Sequence, residues 1–204
     1  MADLFPLFLK LDGRRCVLVG AGTIALQKLG GLLDSAADLH VVAPVATEEI
    51  QQLARNGSLK WTPAEFTASH LDGALLVIAA TGDPAVNDAV YRAARERSVL
   101  CNAVDEPARC DFYYPAVVRR GDLQLAISTA GKSPALAQRL RRELEEQFDA
   151  GYIPWLNWLG SVREILFRRQ VEPELRKQTL HRIAGKTVFE RFRSSRRQQG
   201  GQRG

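Results

Sequence analysis

One stretch near the N-terminus, VLVGAGTIA at residues 17–25, constrains the fold of this chain more than any other part of it. An apolar run leads into Gly20 and Gly22, and leucines at helical spacing follow, which predicts a strand, a tight turn and a helix. Gly20 permits the turn, Gly22 allows the backbone to approach a pyrophosphate, and Ala25 allows the helix to pack closely on the strand. The pattern therefore predicts the first unit of a dinucleotide-binding fold, in which a helix N-terminus faces phosphate.

Strand and helix patterns alternate behind this first unit. Apolar, β-rich runs predict further strands at residues 39–43, 59–62, 75–80 and 99–104. Helix caps at Thr47 and at Asp83-Pro84 predict helices between some of these strands. This order indicates an α/β protein with a Rossmann-type, doubly wound parallel sheet, and we assign that dinucleotide-binding domain to residues 1–113.

The pattern changes after residue 113. Two strand-like runs, residues 115–119 and 123–128, are separated by Arg-Gly-Asp, which is the spacing of a hairpin. Ser133-Pro134 then begins a helix, and further helical patterns continue to about Arg193. We predict a small α+β region over residues 114–148, a helical region over residues 149–193 and a disordered polar tail over residues 194–204.

Charge is unevenly distributed along the chain. The net charge is +5, and from residue 151 onward twelve basic residues face only four acidic ones. Such a surplus suggests nucleic acid, a membrane surface or a polyanionic small molecule, and charge alone does not choose among them. No apolar run approaches the roughly 20 residues that span a bilayer, and the first residues lack a leader pattern, so we expect a soluble, cytoplasmic protein.

Cysteine and histidine give no sign of a metal site. Cys16, Cys101 and Cys110 match no zinc spacing, and the three histidines are scattered. Two of the cysteines, Cys16 and Cys101, fall in predicted strands, where they are expected to be small buried apolar residues. We therefore predict reduced thiols and no resident metal.

The end of the second predicted strand lacks a residue that many NAD-binding domains have. An acid usually stands there to hold the ribose hydroxyls, but this strand ends Val42-Ala43-Pro44, and Asp38 lies at its opposite end. Backbone and shape must therefore hold the cofactor at this point, and the usual rule does not separate NAD from NADP. No arginine follows closely, which disfavours a 2′-phosphate.

Several separate motifs, in order, carry a resemblance to a known family. They are FPLF at 5–8, VAP at 42–44, VIAATGD at 77–83, VN at 86–87, CNAVD at 101–105, DF at 111–112 with PA at 115–116, and AISTAGKSP at 126–134 with LA at 136–137. Over residues 1–145 the chain closely resembles the precorrin-2 dehydrogenase family of sirohaem biosynthesis. That family includes bifunctional dehydrogenase and ferrochelatase enzymes and the N-terminal module of sirohaem synthase.

The resemblance implies an activity and a catalytic residue. The activity is the NAD-dependent conversion of precorrin-2 to sirohydrochlorin, and the aspartate that matches the family's catalytic residue is Asp105. Asp105 follows the strand at residues 99–104, at the end where ligands bind in an open α/β sheet. The alternative is that Asp105 only caps the turn at Glu106-Pro107. Family members differ in whether they also insert Fe²⁺ into sirohydrochlorin, and the sequence leaves that open.

The resemblance also implies binding residues. The predicted NAD contacts are Gly20, Gly22, Thr23, Ile24, Pro44, Val45, Thr81 and Asn102. For the tetrapyrrole, we predict contacts from Ser128, Lys132 and Ser133 at a helix start that can receive an anion, and from Arg119 and Arg120. The alternatives are plain helix capping for the serines and a solvated surface for the arginines.

Family members form homodimers, and we expect the same here through the hairpin strands and the helix from Pro134, since an isolated hairpin is marginally stable. A competing class is a non-enzymatic NAD-sensing or nucleic-acid-binding regulator, which the basic C-terminal region would suit. The sequence shows no convincing recognition helix, and that class leaves the Asp105 motif unexplained. We therefore predict an enzyme with no nucleic-acid or membrane partner.

Overall fold

A computed structural model describes residues 4–200 of the chain, with side chains described as far as Arg196. The chain divides into two compact units, Met1–Tyr113 and Tyr114–Gly204. The regular elements of the first unit are β1 (Arg15–Val19), α1 (Thr23–Leu33), β2 (Asp38–Val42), α2 (Glu48–Arg55), β3 (Lys60–Thr62), β4 (Leu76–Ala79), α3 (Pro84–Glu96) and β5 (Leu100–Ala103), with short 3₁₀ helices at Ala68–Leu71 and Pro107–Arg109.

The five strands of the first unit form one parallel sheet in the order β3-β2-β1-β4-β5. The chain therefore builds outward on one side of β1 and then crosses to the other side, so the switch point lies between β1 and β4. Val19 at the end of β1 stands opposite Val42 and Ala79, and Ala79 stands opposite Ala103. The predicted Rossmann-type sheet is confirmed, and the carboxyl ends of four strands form one row, where such sheets bind ligands.

The central strands are buried on both faces. Leu18 and Ile78 belong to one apolar cluster together with Leu29 of α1. Val17 and Val77 belong to a second cluster on the opposite face. Because alternate residues of a strand point to opposite faces, helices must cover both sides, which explains why β1 and β4 are nearly continuous apolar runs.

Two of the three cysteines belong to this core. Cys16 and Cys101 are buried free thiols, whereas Cys110 is half-buried. Burial raises the pKa of Cys16 to about 11 and that of Cys101 to about 12, from an ordinary value of 9.0. The unfolded chain releases these protons first, so the stabilisation is complete below pH 9.0 and is lost as the pH rises through about 11 to 12.

This burial predicts an order of thiol labelling. With iodoacetamide at mildly alkaline pH, we expect Cys110 to be alkylated first, and Cys16 and Cys101 only after denaturant is added, because thiolates are the reactive species. Peptide mass spectrometry after a time course measures this order. Equal labelling of all three thiols in the native chain would contradict the assignment of Cys16 and Cys101 to the core.

The second unit begins with an antiparallel pair and continues as helices. Its elements are β6 (Ala116–Arg120), β7 (Leu123–Ile127), α4 (Pro134–Gln147), α5 (Tyr152–Arg168), α6 (Pro173–Ile183) and α7 (Lys186–Gly200). The turn between the strands places Gly121 at φ +59°, a conformation that suits glycine. The predicted hairpin and C-terminal helices are confirmed.

The helices of the second unit share an aromatic core. Trp155 of α5 is 5% exposed and lies against Phe189 and Phe192 of α7. These contacts hold the first half of α7, and the Arg196 guanidinium lies 5.8 Å from the centre of the Phe192 ring. The helix continues to Gly200, so residues 194–200 are helical where the sequence predicted a disordered tail. Residues 201–204 of that predicted tail lie outside the described residues. No helix in the described part of the chain is long and apolar enough to cross a bilayer.

Candidate active site

The turn after β1 has room only for glycine at its first position. Gly20 has φ +103°, and a Cβ built there would lie 2.4 Å from the carbonyl oxygen of Ala80. The Gly20 N–H donates to the Val42 oxygen at 2.9 Å, so the turn is held between β2 and the segment after β4. The sequence predicted that a tight turn requires glycine at position 20. The structure shows the cause, which is that the backbone after β4 leaves no space for a Cβ at the switch point.

The N-terminus of α1 is left open to an anion. Gly22 precedes the helix, makes no side-chain cap, and no acidic residue stands in the first turn. A Cβ built at Gly22 would meet no atom of the described residues within 4 Å. In α3, by contrast, the Asp83 carboxylate accepts from the Ala85 N–H at 2.8 Å. The first-turn N–H groups of α1, which include those of Thr23 and Ile24, are therefore the free donors at this edge of the sheet.

The loop after β2 lies beside this turn. Pro44 and Val45 are exposed, with Val45 79% exposed, and the Thr47 N–H donates to the Ala21 oxygen at 3.1 Å. The loop carries no acid for a ribose. At the opposite end of β2, Asp38 accepts hydrogen bonds from His40 and Lys60, which lower the pKa of its carboxyl group.

Thr81 follows β4 and is held by a buried asparagine. Asn87 is 6% exposed, its Oδ1 lies 2.7 Å from the Thr81 hydroxyl, and its Nδ2 donates to the Thr81 carbonyl at 3.2 Å. The Thr81 N–H also points to Asn87 Oδ1, at 3.3 Å. The amide of Asn87 therefore fixes the loop that would carry Thr81 to the dinucleotide. Asn87 lies in one of the family motifs, but its role could not be read from the sequence.

Removing this amide should destabilise the first unit. We expect Asn87→Ala to lower the free energy of unfolding by about 1–3 kcal/mol, since it leaves the Thr81 backbone groups without partners. NAD affinity should fall as well, because the loop loses its anchor. Urea unfolding and calorimetric titration with NAD⁺ measure the two effects, and Asn157→Ala, at an exposed position of α5, is the matched control. An Asn87→Ala protein as stable as the control would refute this role.

Asp105 stands just beyond β5 in a left-handed conformation, with φ +64°. Its side chain is exposed, and its carboxylate makes no hydrogen bond or ion pair with any other described residue. The turn is closed by its backbone instead, where the Glu106 N–H donates to the Ala103 oxygen at 3.2 Å. The structure therefore does not show the alternative role of Asp105 as a turn cap. The carboxylate of Asp105 is thus exposed and unbonded at the carboxyl end of β5.

The side chain of Asn102, a predicted cofactor contact, is bonded to other residues of the protein. It is 6% exposed, and its Nδ2 donates to the Phe112 carbonyl at 2.7 Å and lies 3.4 Å from the Cys110 sulfur. Both contacts tie β5 to the segment that follows the Asp105 turn. The side-chain N–H groups of Asn102 thus bond within the protein, and contact of this residue with the cofactor remains a prediction.

Most of the predicted tetrapyrrole contacts of the second unit have local roles. Ser133 caps α4 by accepting from the Leu136 N–H at 3.2 Å, and the Ser128 hydroxyl accepts from the Ala130 N–H at 3.1 Å. Arg120 donates to the Glu145 carbonyl at 2.9 Å and so holds the last turn of α4. Ser133 thus caps α4, Ser128 closes a short turn before that helix, and Arg120 ties the hairpin to α4. Contact of these three residues with the tetrapyrrole remains a prediction.

Two predicted substrate contacts remain on the surface of this unit. Lys132 is exposed and has no ion pair with another described residue, and Arg119 is exposed on β6. Among the residues that the structure describes, no three histidines, cysteines or acids come together as ligands for a metal ion.

The sheet, the tight turn at its switch point and the open helix N-terminus define a dinucleotide-binding protein of the Rossmann type. Residues 7–116 match the family described as "Putative NAD(P)-binding", and residues 120–147 match the one described as "Sirohaem biosynthesis protein central". The chain therefore belongs to the family of precorrin-2 dehydrogenases and sirohaem synthase N-terminal modules, as its motifs predicted.

Curated relatives and a solved structure agree with this family. The chain is 44% identical over 167 residues to a siroheme synthase of Photorhabdus laumondii, covering 82% of this chain and 36% of the relative. It is 38% identical over 183 residues to siroheme synthase 3 of Aeromonas hydrophila, covering 90% and 39%. The chain thus spans about two fifths of these relatives' length. The solved structure of SirC, a precorrin-2 dehydrogenase, superposes with a TM-score of 0.77 at 29% identity, covering 91% of this chain and 92% of SirC.

Proposed function

We propose that this chain is an NAD-dependent precorrin-2 dehydrogenase, which converts precorrin-2 and NAD⁺ into sirohydrochlorin, NADH and a proton. The observation that carries the proposal is the row of strand ends in the first unit. The open N-terminus of α1 and the unpaired carboxylate of Asp105 lie on that row, one beyond β1 and the other beyond β5. With strands spaced about 4.8 Å apart, the two are separated laterally by roughly 10 Å.

The residues of the turn fit a dinucleotide. When bound, NAD⁺ supplies the acceptor for the hydride that precorrin-2 loses. The first-turn N–H groups of α1 bind the pyrophosphate, the loop at Pro44 and Val45 covers the adenosine side, and Thr81 holds the part of the cofactor that passes β4. Gly20 and Gly22 let the backbone come close enough for these contacts.

The first turn of α2 favours NAD over NADP. Its two acids, Glu48 and Glu49, follow directly on Thr47, whose N–H contacts the glycine-rich turn. Glu48 is paired with Arg55, so a 2′-phosphate near this turn would meet chiefly the negative charge of Glu49, and like charges brought together at a binding site are unfavourable.

In this proposal Asp105 is the catalytic base. Its carboxylate makes no bond to another described residue and is exposed at the edge where the substrate would lie, so it can accept the proton that the macrocycle loses as hydride leaves. The left-handed backbone of Asp105 turns the side chain out of the strand direction at a cost of order 1 kcal/mol.

Iron insertion into sirohydrochlorin is a second candidate activity of the same carboxylate. Insertion of Fe²⁺, here a substrate, displaces two pyrrole protons, and an unpaired carboxylate can accept them. Anaerobic incubation of the purified chain with sirohydrochlorin and Fe²⁺, against a reaction without enzyme, tests it. Rates equal to the uncatalysed control would restrict the chain to dehydrogenation.

We also propose that the chain acts as a homodimer in the cytoplasm. Within the described residues β6 and β7 pair only with each other, and an isolated two-stranded sheet is marginally stable, so a second copy of the hairpin and α4 would complete it. The free thiols fit a reducing compartment. Light scattering at micromolar concentration should give twice the chain mass of 22.6 kDa, and a monomeric mass would contradict the dimer.

Initial rates with the two dinucleotides test the proposed function. With precorrin-2 made in situ under anaerobic conditions, we expect formation of reduced nicotinamide, with kcat/KM for NAD⁺ about tenfold or more above that for NADP⁺. The double variant Glu48→Gln, Glu49→Gln should narrow this preference. Binding of NAD⁺ without any turnover would favour a sensing role over an enzyme.

A further inference from the structure

The segment after β5 holds Asp105 without touching its carboxylate. This segment, residues 104–110, forms a turn at Asp105 and then a 3₁₀ helix at Pro107–Arg109. Because no described residue bonds the Asp105 side chain, its position depends on the backbone that carries it. That backbone has a positive φ of +64°, and bonds from the rest of the segment surround it.

Arg109 ties this segment to α3. Its Nη1 lies 2.8 Å from Glu106 Oε2, in the residue directly after Asp105, and its Nη2 lies 2.9 Å from Asp88 Oδ1 on α3. Its guanidinium also lies 5.9 Å from the centre of the Tyr91 ring on the same helix. About two thirds of the Arg109 side chain is covered, with 31% exposed, so both ion pairs are partly shielded from water. The planar guanidinium of Arg109 thus connects α3 to the turn at Asp105.

Cys110 also bonds to residues on both sides of Asp105. Its sulfur lies 3.1 Å from the Ala103 carbonyl and 3.4 Å from that of Glu106. Asp105 therefore lies between two residues, Ala103 and Glu106, that are each bonded to the far end of the segment. The Val104 N–H, directly before Asp105, donates to the Ala79 carbonyl of β4 at 2.9 Å and holds the start of the turn on the sheet. The bonds from Arg109 connect Glu106, directly after Asp105, to α3.

We propose that Arg109 is the positioning residue for Asp105 in precorrin-2 oxidation, acting through Glu106 and Asp88. This inference rests on the proposed function. Without the bridge, the turn can leave its left-handed conformation, and the carboxylate moves relative to the substrate. Displacements of about 1 Å at a reacting group can lower rates by about 10²-fold. The dinucleotide contacts come from the loops after β1, β2 and β4, so NAD⁺ binding does not depend on Arg109.

The neighbouring Arg92 provides a matched control. Arg92 Nη2 pairs with the other oxygen of Asp88, at 2.6 Å, but it makes no contact with the Asp105 turn among the described residues. We expect Arg109→Ala to lower kcat about 10- to 100-fold with KM and Kd for NAD⁺ unchanged, and Arg92→Ala to leave all of these unchanged. Arg109→Lys should recover part of the rate. Glu106→Gln, which weakens the bond to the turn alone, should lower kcat less than Arg109→Ala does.

A double-mutant cycle with Asp105→Asn tests whether Arg109 acts through Asp105. Anaerobic kcat, NAD⁺ affinity by calorimetry and thermal unfolding are measured for both single variants and the double variant. We expect Arg109→Ala to have no further effect on kcat once Asp105 is asparagine. Independent, multiplying effects, or a loss of NAD⁺ affinity equal to the loss of kcat, would overturn the positioning role. A wild-type rate in Asp105→Asn alone would instead overturn the catalytic role of Asp105, so the two failures are distinguishable.

Discussion

Replacing Asp105 by asparagine should lower kcat for precorrin-2 oxidation about 10²- to 10⁴-fold, the usual contribution of a general base. In barrier height this is roughly 3–5 kcal/mol, far above the roughly 1 kcal/mol that a lost turn hydrogen bond would cost in stability. Asparagine keeps the size of the side chain and tolerates the left-handed backbone at φ +64°. The change therefore removes the charge and leaves the turn in place.

The controls for Asp105→Asn separate chemistry from folding. NAD⁺ affinity and the midpoint of thermal unfolding should stay near those of the wild type, because the dinucleotide site that we propose is formed chiefly by the turn after β1. Asp105→Ala should lose as much rate and slightly more stability, since alanine does not favour a positive φ. Near-normal turnover with lowered stability in either variant would show that Asp105 is a structural residue and that the active site lies elsewhere.

Replacing Gly20 by alanine should have the largest effect on the fold. The new Cβ would lie 2.4 Å from the Ala80 carbonyl oxygen, and the residue would keep a φ of +103°. Crowding a packed site costs about 1–3 kcal/mol and an unfavourable φ about 1–2 kcal/mol, so the free energy of unfolding should fall by about 2–5 kcal/mol. That is a large part of the stability of an ordinary domain. Urea unfolding measures the loss, and NAD⁺ binding should be lost with it.

Two other glycines of the same region are matched controls. Gly30→Ala lies within α1 with no described atom within 4 Å of its Cβ, so it should keep or slightly raise stability. Gly22→Ala also has open space and a φ of −90°, so it should fold normally but bind NAD⁺ more weakly, because its methyl group stands where the pyrophosphate approaches. If Gly20→Ala proved as stable as Gly30→Ala, the explanation of the turn would be wrong.

The features that the sequence predicted well are local. A strand, two glycines and a helical stripe follow one another within residues 17–33, and each constrains the backbone of its neighbours. The same holds for the hairpin around Gly121 and for the start of α4 at Ser133-Pro134. The motif of Asp105 and its place after a strand made it a candidate, since parallel strands bring their carboxyl ends to one edge, and its catalytic role remains our proposal.

The contacts that could not be predicted from the sequence depend on partners that are distant along the chain. Arg120, whose substrate contact remains a prediction, also donates to the Glu145 carbonyl, a bond that exists only once α4 packs on the hairpin. The bridge from Arg109 to Asp88 joins the loop after β5 to the helix before β5, and neither residue type nor spacing predicts it. The amide of Asn87 could have been suspected, because a polar residue on the apolar face of a helix needs a buried partner.

The proposed dehydrogenase activity is tested most directly by measuring both products of one anaerobic reaction. Purified wild-type chain is given precorrin-2 and NAD⁺, and NADH and sirohydrochlorin are quantified by absorbance and by chromatography, with reactions lacking enzyme or NAD⁺ subtracted. If the chain is an NAD-dependent precorrin-2 dehydrogenase, we expect one NADH for each sirohydrochlorin formed, and no enzyme-dependent product when NAD⁺ is omitted. Sirohydrochlorin formed without NADH, or NAD⁺ bound with neither product formed, would contradict it.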